Sequence, residues 1–390
     1  MIEPELARVA KQFPVITIIG PRQSGKTTLA QTHFSDYDYV NLEDLEARGY
    51  ATEDPKGFLN DHPAPVILDE IQRVPELLSY IQVIADRDKK MGQYILTGSH
   101  QPQLRAEVTQ SLAGRTGLLQ LLPLSIAELN AAGIALSRNE YLHRGFLPKL
   151  YDTDGDPILE YRNYYGTYIE KDIRQLIHLQ HQREFEVFIR LLAGRIGQLL
   201  NLSSLADDVG VSASTLAEWL NVLEASFIVF RLPCYFENFG KRLIKTPKLY
   251  FTEVGLASWL LGIKTPEQAG HDPLLGGLFE NMVVVEALKA RYNSGYDADL
   301  YFFRDQRGFE IDLLLADNRK LYPFEIKAGQ TYSSDYAANL KIFGERSDRV
   351  QPGTVVYSGD MKRSGPLAVI NFQEIAQTIA KVQTNASEAK

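Results

Sequence analysis

The sequence predicts an α/β fold: a parallel sheet covered by helices on both faces, then a helical middle, then a second α/β region. Three observations carry this. Short apolar runs, Val15–Ile19, Tyr39–Leu42, Val66–Leu68, Tyr94–Leu96 and Thr116–Leu121, alternate with helical stretches over the first 130 residues. A glycine-rich string follows the first of them at once. A second series of runs, Tyr301–Phe303, Glu310–Leu315, Leu321–Lys327 and Thr354–Tyr357, follows a long helical middle.

The string after the first run is Gly20, Pro21, Arg22, Gln23, Ser24, Gly25, Lys26, Thr27, with Thr28 behind it. It fits G-x-x-x-x-G-K-T between a strand and a helix over Thr27–Thr32, the setting of a phosphate loop. Gly20 and Gly25 let the backbone curl so that N–H groups converge on phosphate oxygens, at the positive end of a helix. Lys26 is placed to reach the β- and γ-phosphates, and Thr27 to set a hydroxyl on Mg2+. The loop implies that a nucleoside triphosphate binds here.

The third run ends in Asp69-Glu70. An acidic pair at the tip of a buried parallel strand is costly unless a cation stands beside it. Asp69 suits Mg2+, and Glu70 suits a general base polarising the attacking water. A chain that only binds nucleotide has no use for Glu70, so the pair predicts hydrolysis. The fourth run ends in Thr97, Gly98 and Ser99. Either hydroxyl can hold that water, with Ser99 preferred; a plain Ser/Thr turn reads the same way. Arg115 precedes the fifth run. It suits either a neighbouring subunit's γ-phosphate, which implies a homo-oligomer, or a surface ion pair.

Length and composition limit the rest. A chain of 390 residues divides into two to four domains. Its 41 basic against 49 acidic residues give a net charge of −8, with no global pull toward nucleic acid or anionic membrane. The one cysteine, Cys234, excludes an internal disulfide and reads as a small buried residue. No run reaches the roughly 18 apolar residues of a membrane span. The N-terminus lacks the pattern of a targeting peptide, so the cytoplasm is the expected compartment.

Residues 126–180 read as helices broken by Gly145, Pro148 and the Asp152–Pro157 run. That run lacks the acidic twelfth position of a calcium loop, which is Asn163, and is expected to be a solvated turn. The stretch from Leu202 to Leu220 carries a helix–turn–helix pattern. Ser203 is expected to cap the first helix, Gly210 to make the turn and Ser212 to cap the second, which turns Leu216, Trp219, Leu220 and Leu223 inward. Phe227–Phe230 and Leu249–Phe251 read as strands of a wing. The second helix offers Ser214, Thr215, Glu218 and Asn221 outward, with no basic residue, so it is a poor reader of a DNA groove. Lys241 to Lys248 holds four positive charges in eight residues, leaving phosphate contact from the wing as the route to DNA. Packing or protein contact is the preferred use of this region.

In the last region Glu280 is expected on the first turn of an apolar helix, and a helix is expected over Tyr332–Phe343. Asp312, then Glu325-Ile-Lys327, with Glu280 upstream, resembles the PD-(D/E)-x-K nuclease core. Alternate residues of a strand share a face, so Glu325 and Lys327 point together toward Asp312 on the neighbouring strand. Such carboxylates can share a divalent metal, with Lys327 stabilising developing charge; Glu310 lies on the same face as Asp312.

Taken together, the strings GPRQSGKTT, LDEIQ, LTGSHQ and AGRTGLLQLLPLSIAEL resemble the AAA-class ATPases of bacteria and archaea that carry a C-terminal nuclease-like domain of unknown function. The resemblance covers nearly the whole chain. It implies an AAA-type P-loop NTPase core over 1–130, a helical lid or connector over 131–200, a winged helix–turn–helix over 201–265 and a restriction-endonuclease-like domain over 266–390. It implies ATP with Mg2+ as the ligands. The leading expectation is ATP hydrolysis whose nucleotide state controls the C-terminal modules. The alternatives are an ATP-gated, metal-dependent DNA nuclease and a nucleotide-controlled platform for a protein partner.

Overall fold

A computed structural model describes residues 1–99, 111–173, 182–236 and 246–388, with backbone alone at 170–172 and 383–388. The chain forms two compact units. The first takes Met1–Pro123 together with Ala225–Phe227 and Tyr292–Tyr296; the second takes the rest.

The first unit is built on a parallel sheet with strand order β2-β3-β4-β1-β5. Its strands are β1 (Val15–Gly20), β2 (Asp38–Asn41), β3 (Val66–Asp69), β4 (Tyr94–Ser99) and β5 (Thr116–Gln120), close to the predicted runs. β1, β3 and β4 are buried along their whole length, which is why they read as unbroken apolar runs. Alternation divides β1 between two cores. Ile16 and Ile18 pack with Leu6, Ala30 and Phe34, while Val15 and Ile19 pack with Phe58, Leu68, Leu78 and Ile81. β4 lies between β1 and β3, so Thr97 and Ser99 emerge between the loop after β1 and the acidic pair after β3.

Gly20 is required by a close approach: a Cβ there would lie 2.0 Å from the Leu121 carbonyl oxygen. That backbone oxygen cannot give way, because Leu121 N donates to Ile19 O at 2.8 Å. Gly20→Ala should therefore push β1 from β5, lower the thermal melting temperature and weaken ATP binding together; calorimetry on the folded variant measures both.

In the second unit, helices Ile126–Ala131, Arg138–Arg144, Pro148–Asp152 and Pro157–Tyr164 end near the predicted breakers. Asp156 caps the last of these, its side chain accepting from Ile158 N at 2.9 Å. The helix then widens into π-type turns over Tyr165–Ile173. The helix–turn–helix spans Leu202–Val209 and Ala213–Ala225, with Gly210 left-handed at φ 83°. Ser212 accepts from Thr215 N as expected. Ser203 does not cap the first helix; Asn201 does, accepting from Ser204 N at 3.1 Å, so the helix starts two residues earlier than Ser203 would set it. β6 (Val229–Leu232) and β7 (Lys248–Phe251) pair antiparallel. Phe227, expected to open the first of these strands, has φ 55° and packs against the first unit's core. Of the predicted basic wing, 241–245 lie outside the described residues. Lys248 is buried in ion pairs and presents no charge to phosphate, which corrects its assignment to the wing surface.

The remaining sheet has order β12-β11-β10-β9-β8. β8 (Leu300–Arg304), β9 (Glu310–Asp317) and β10 (Lys320–Lys327) are antiparallel; β11 (Gly353–Tyr357) and β12 (Leu367–Asn371) join parallel. Three expectations shift. Helix Leu275–Asn293 begins before Leu278, placing Glu280 on its second turn. The region after Tyr332 forms a 3-10 turn at Ser334–Ala337 and a helix only over Ala338–Gly344. β12 and helix Ile375–Glu388 complete the unit without a counterpart in the predicted elements.

Candidate active site

The loop leaving β1 carries Gln23 at φ 61° and Gly25 at φ 91°, and helix Lys26–His33 starts with no side chain capping it. Its first amides are therefore free of side-chain acceptors, the condition for holding an anion there. Ser24 Oγ is buried and makes no hydrogen bond among the described residues. Lys26 is buried, with Nζ donating to Pro21 O at 2.7 Å across the loop. Burial lowers its pKa to about 8, against the pull of Glu70 and Asp69.

Asp69 collects hydroxyls. Thr27 Oγ1 lies 3.1 and 3.0 Å from its two oxygens, Tyr39 donates at 2.8 Å, and Thr97 Oγ1 makes a close contact. The two sequence motifs, 42 residues apart, thus meet side chain to side chain. Glu70 follows with a left-handed backbone, φ 58° and ψ 46°, uncommon for a residue with a Cβ. That turn separates the two acids: Asp69 faces Thr27, while Glu70 meets Ser99 Oγ at 3.3 Å and the Gln72 amide in a close contact. Gln72 Nε2 also donates to Ser99 at 3.0 Å, and Gln72 Oε1 is buried without a partner among the described residues.

Arg22 and Arg73 both pair with Glu43, at 3.7 and 3.2 Å. Arg115 makes a bidentate pair with Asp86, at 2.5 and 2.9 Å, and donates to Ala113 O. This is the ion-pair use that the sequence left open beside a role on a neighbouring γ-phosphate. Sequence reasoning missed Tyr39 and Gln72. Tyr39 reads as one apolar residue of a strand. Gln72 stands inside the quoted LDEIQ string, two residues beyond Glu70, and that spacing was its signal.

The second constellation also assembles. Lys327 Nζ lies 3.1 Å from Asp312 and 3.3 Å from Glu325. Asp312 accepts from Ile326 N at 2.8 Å, and Glu325 from Asn339 at 3.0 Å. Burial and the neighbouring Asp312 push Glu325 up to about 9, so it holds a proton at neutral pH. Among the described residues Glu280 makes no hydrogen bond to this pair but feels the charge of Asp312, and it is bound by Lys248 at 2.8 Å and Tyr250 at 2.5 Å. β10 is the middle strand of its sheet, so Glu325 is buried rather than set on a solvated edge.

Comparison with known proteins matches three stretches to family models: an AAA domain over residues 12–130, and domains of unknown function over residues 136–267 (DUF8612) and 275–375 (DUF4143). The uncharacterized proteins Mb2031c of Mycobacterium bovis and Rv2008c of Mycobacterium tuberculosis are each 30% identical over 358 residues, covering 91% of this chain and 79% of theirs. Among solved structures, the Walker-type ATPase PABY2304 of Pyrococcus abyssi overlaps at 14% identity, covering 66% of this chain and 94% of its own, with a TM-score of 0.44. The Thermotoga maritima RuvB Holliday junction branch migration motor overlaps at 19% identity, covering 60% of this chain and 89% of its own, with a TM-score of 0.26.

Proposed function

This chain belongs to one family with those two mycobacterial proteins and is an AAA-class P-loop ATPase, and from that premise we propose which residues perform the hydrolysis and what it controls. The observation that carries the reading is the contact of Thr27 with both oxygens of Asp69, with Lys26 buried behind it.

In this reading the amides of Gly20 to Thr28 bind the phosphates, and Lys26 exchanges the Pro21 carbonyl for a phosphate oxygen. The donor set fits Mg2+: a hydroxyl and a carboxylate are hard oxygen ligands lying side by side. Thr27 and Asp69 would hold the ion, which when bound neutralises charge on the phosphate oxygens. Glu70 accepts the proton of the attacking water, which Ser99 helps to place. Gln72 orients Glu70. Gln72→Ala should lower turnover by about ten- to a hundredfold, the scale of a misplaced reacting group, with ATP affinity unchanged. Phosphate-release kinetics beside calorimetric ATP binding check this, and equal loss in both would refute the positioning role.

We extend the reading to a division into an ATPase core at 1–130, a connector at 131–200, a winged helix–turn–helix at 201–265 and a nuclease-like domain at 266–390. Nucleotide state controls the last two. The meeting of Asp312, Glu325 and Lys327 on adjacent strands supports the nuclease-like fold, and the acidic outward face of Ala213–Ala225 supports a protein rather than DNA as the partner. No described helix is long and apolar enough to cross a membrane, which accords with a cytoplasmic setting. Arg115 serves a neighbouring protomer by exchanging Asp86 for its γ-phosphate. Mass measurement with and without ATP tests this: a monomer in both conditions removes it. Purified chain that releases no phosphate from ATP would remove the whole assignment.

A further inference from the structure

The acidic cluster of the second unit has the residue order of a metal-dependent nuclease, yet its own side chains fill the place of a metal. Lys248 Nζ lies 2.8 Å from Glu280 and 2.6 Å from Glu310, and its side chain is 4% exposed. Tyr250 donates to the same Glu280 oxygen that Lys248 binds. Lys327 bridges Asp312 and Glu325. Ile326 N–H donates to the same Asp312 oxygen as Lys327, and Asn339 to the other oxygen of Glu325. Nitrogen and hydroxyl donors thus already occupy Glu280 Oε1, Glu310 Oε1, Asp312 Oδ2 and both Glu325 oxygens, whereas a hard divalent cation needs several such lone pairs unshared. Among the described residues, no three acidic, histidine or cysteine side chains come together in a set that could hold one ion.

Lys248 also lacks an easy way out. It opens β7, where its backbone is held on one side by β6 and on the other by a bridge to Leu199. Leu200 N donates to Pro247 O, and Leu249 N to Gln198 O, just before and after it. Its ammonium stands 5.6 Å from the centre of the Phe302 ring, which favours a cation at this place. A divalent ion entering between Glu280 and Glu310 would meet a fixed positive charge at hydrogen-bond distance.

We infer that Lys248 is the resident cation of this cluster, an ionic lock joining β7 to helix Leu275–Asn293 and β9 in place of a divalent metal. The unit then serves as a binding module that does not cut phosphodiesters. This goes beyond the ATPase reading and stands apart from it, because its test uses no nucleotide.

The test is Mn2+ titration of the full chain carrying Asp69→Ala, which silences the first site, followed by electron paramagnetic resonance. Millimolar Mn2+ is expected to remain free with Lys248 intact. One bound Mn2+ per chain that disappears on Asp312→Asn would overturn the inference. Lys248→Met should lower the melting temperature by about 10 °C, because it strands buried carboxylates. Glu280→Gln added to it should recover part of that drop. Strictly additive losses would also overturn the lock, and they are readable even where Lys248→Met alone folds poorly, because the Mn2+ titration on the Lys248-intact chain decides independently.

Discussion

Glu70→Gln should stop ATP turnover while leaving ATP bound. Glutamine keeps the length and hydrogen-bonding shape of the side chain and removes its ability to take a proton. A positioned general base contributes about 10²- to 10⁴-fold, so phosphate release should fall by that factor. Binding should persist because Lys26, Thr27 and the loop amides are untouched, and Asp69 keeps its contacts with Thr27, Tyr39 and Thr97. Phosphate release and calorimetric ATP titration on one preparation measure the two halves. The opposite pattern, lost affinity with normal turnover of the bound fraction, would make Glu70 a binding residue.

Glu253→Ala should be the most destabilising single change in the second unit. The Glu253 carboxylate is buried and accepts from Phe146 N at 2.9 Å, Gly255 N at 3.1 Å and Tyr161 at 3.0 Å. It ties the start of helix Val254–Leu260 to the Arg144–Phe146 corner and to helix Pro157–Tyr164. Alanine leaves two buried amides without an acceptor, while Tyr161 keeps the Arg144 carbonyl at 3.0 Å; each orphan costs about 1–3 kcal/mol, so a loss of about 2–5 kcal/mol is expected after relaxation. Urea unfolding measures it. Glu253→Gln keeps the accepting oxygen and should cost far less. Burial raises the Glu253 pKa above the ordinary carboxyl value, so the native fold favours the protonated form. Its stability contribution is then full at acid pH and declines as pH climbs through the raised value. The glutamine variant should lack that decline.

Much of the candidate site was legible because chemistry constrains it twice over. A phosphate loop needs glycines and a lysine at fixed spacing, and a buried acid pair needs a cation, so Lys26, Thr27, Asp69 and Glu70 announce themselves. Buried parallel strands such as β1, β3 and β4 stand out as apolar runs for a similar reason. What escaped were residues whose meaning depends on a distant partner. Tyr39 becomes part of the site only when β2 settles beside β3 and brings its hydroxyl to Asp69. Lys248 looks like one charge in a basic run until helix Leu275–Asn293 and β9 bring Glu280 and Glu310 to it. β12 escaped because Leu367–Asn371 is short and only partly buried, its identity as a strand coming from β11. Glu280 was placed one turn off because Gly276 and Gly277 mask the true start of its helix.

The first unit draws on three separated stretches of chain, the last of them Tyr292–Tyr296. Phe227 supplies part of its apolar packing, and Gly295 presses so closely on Glu5 that a Cβ there would lie 2.1 Å from a carboxylate oxygen. During synthesis the ATPase sheet is therefore translated early but finished late. Its strands leave the ribosome well before the pieces that seal them, and the enzyme gains its full stability only after residue 296 has emerged. A fragment cut at the end of the AAA match should accordingly be prone to aggregation, however complete its nucleotide motifs are.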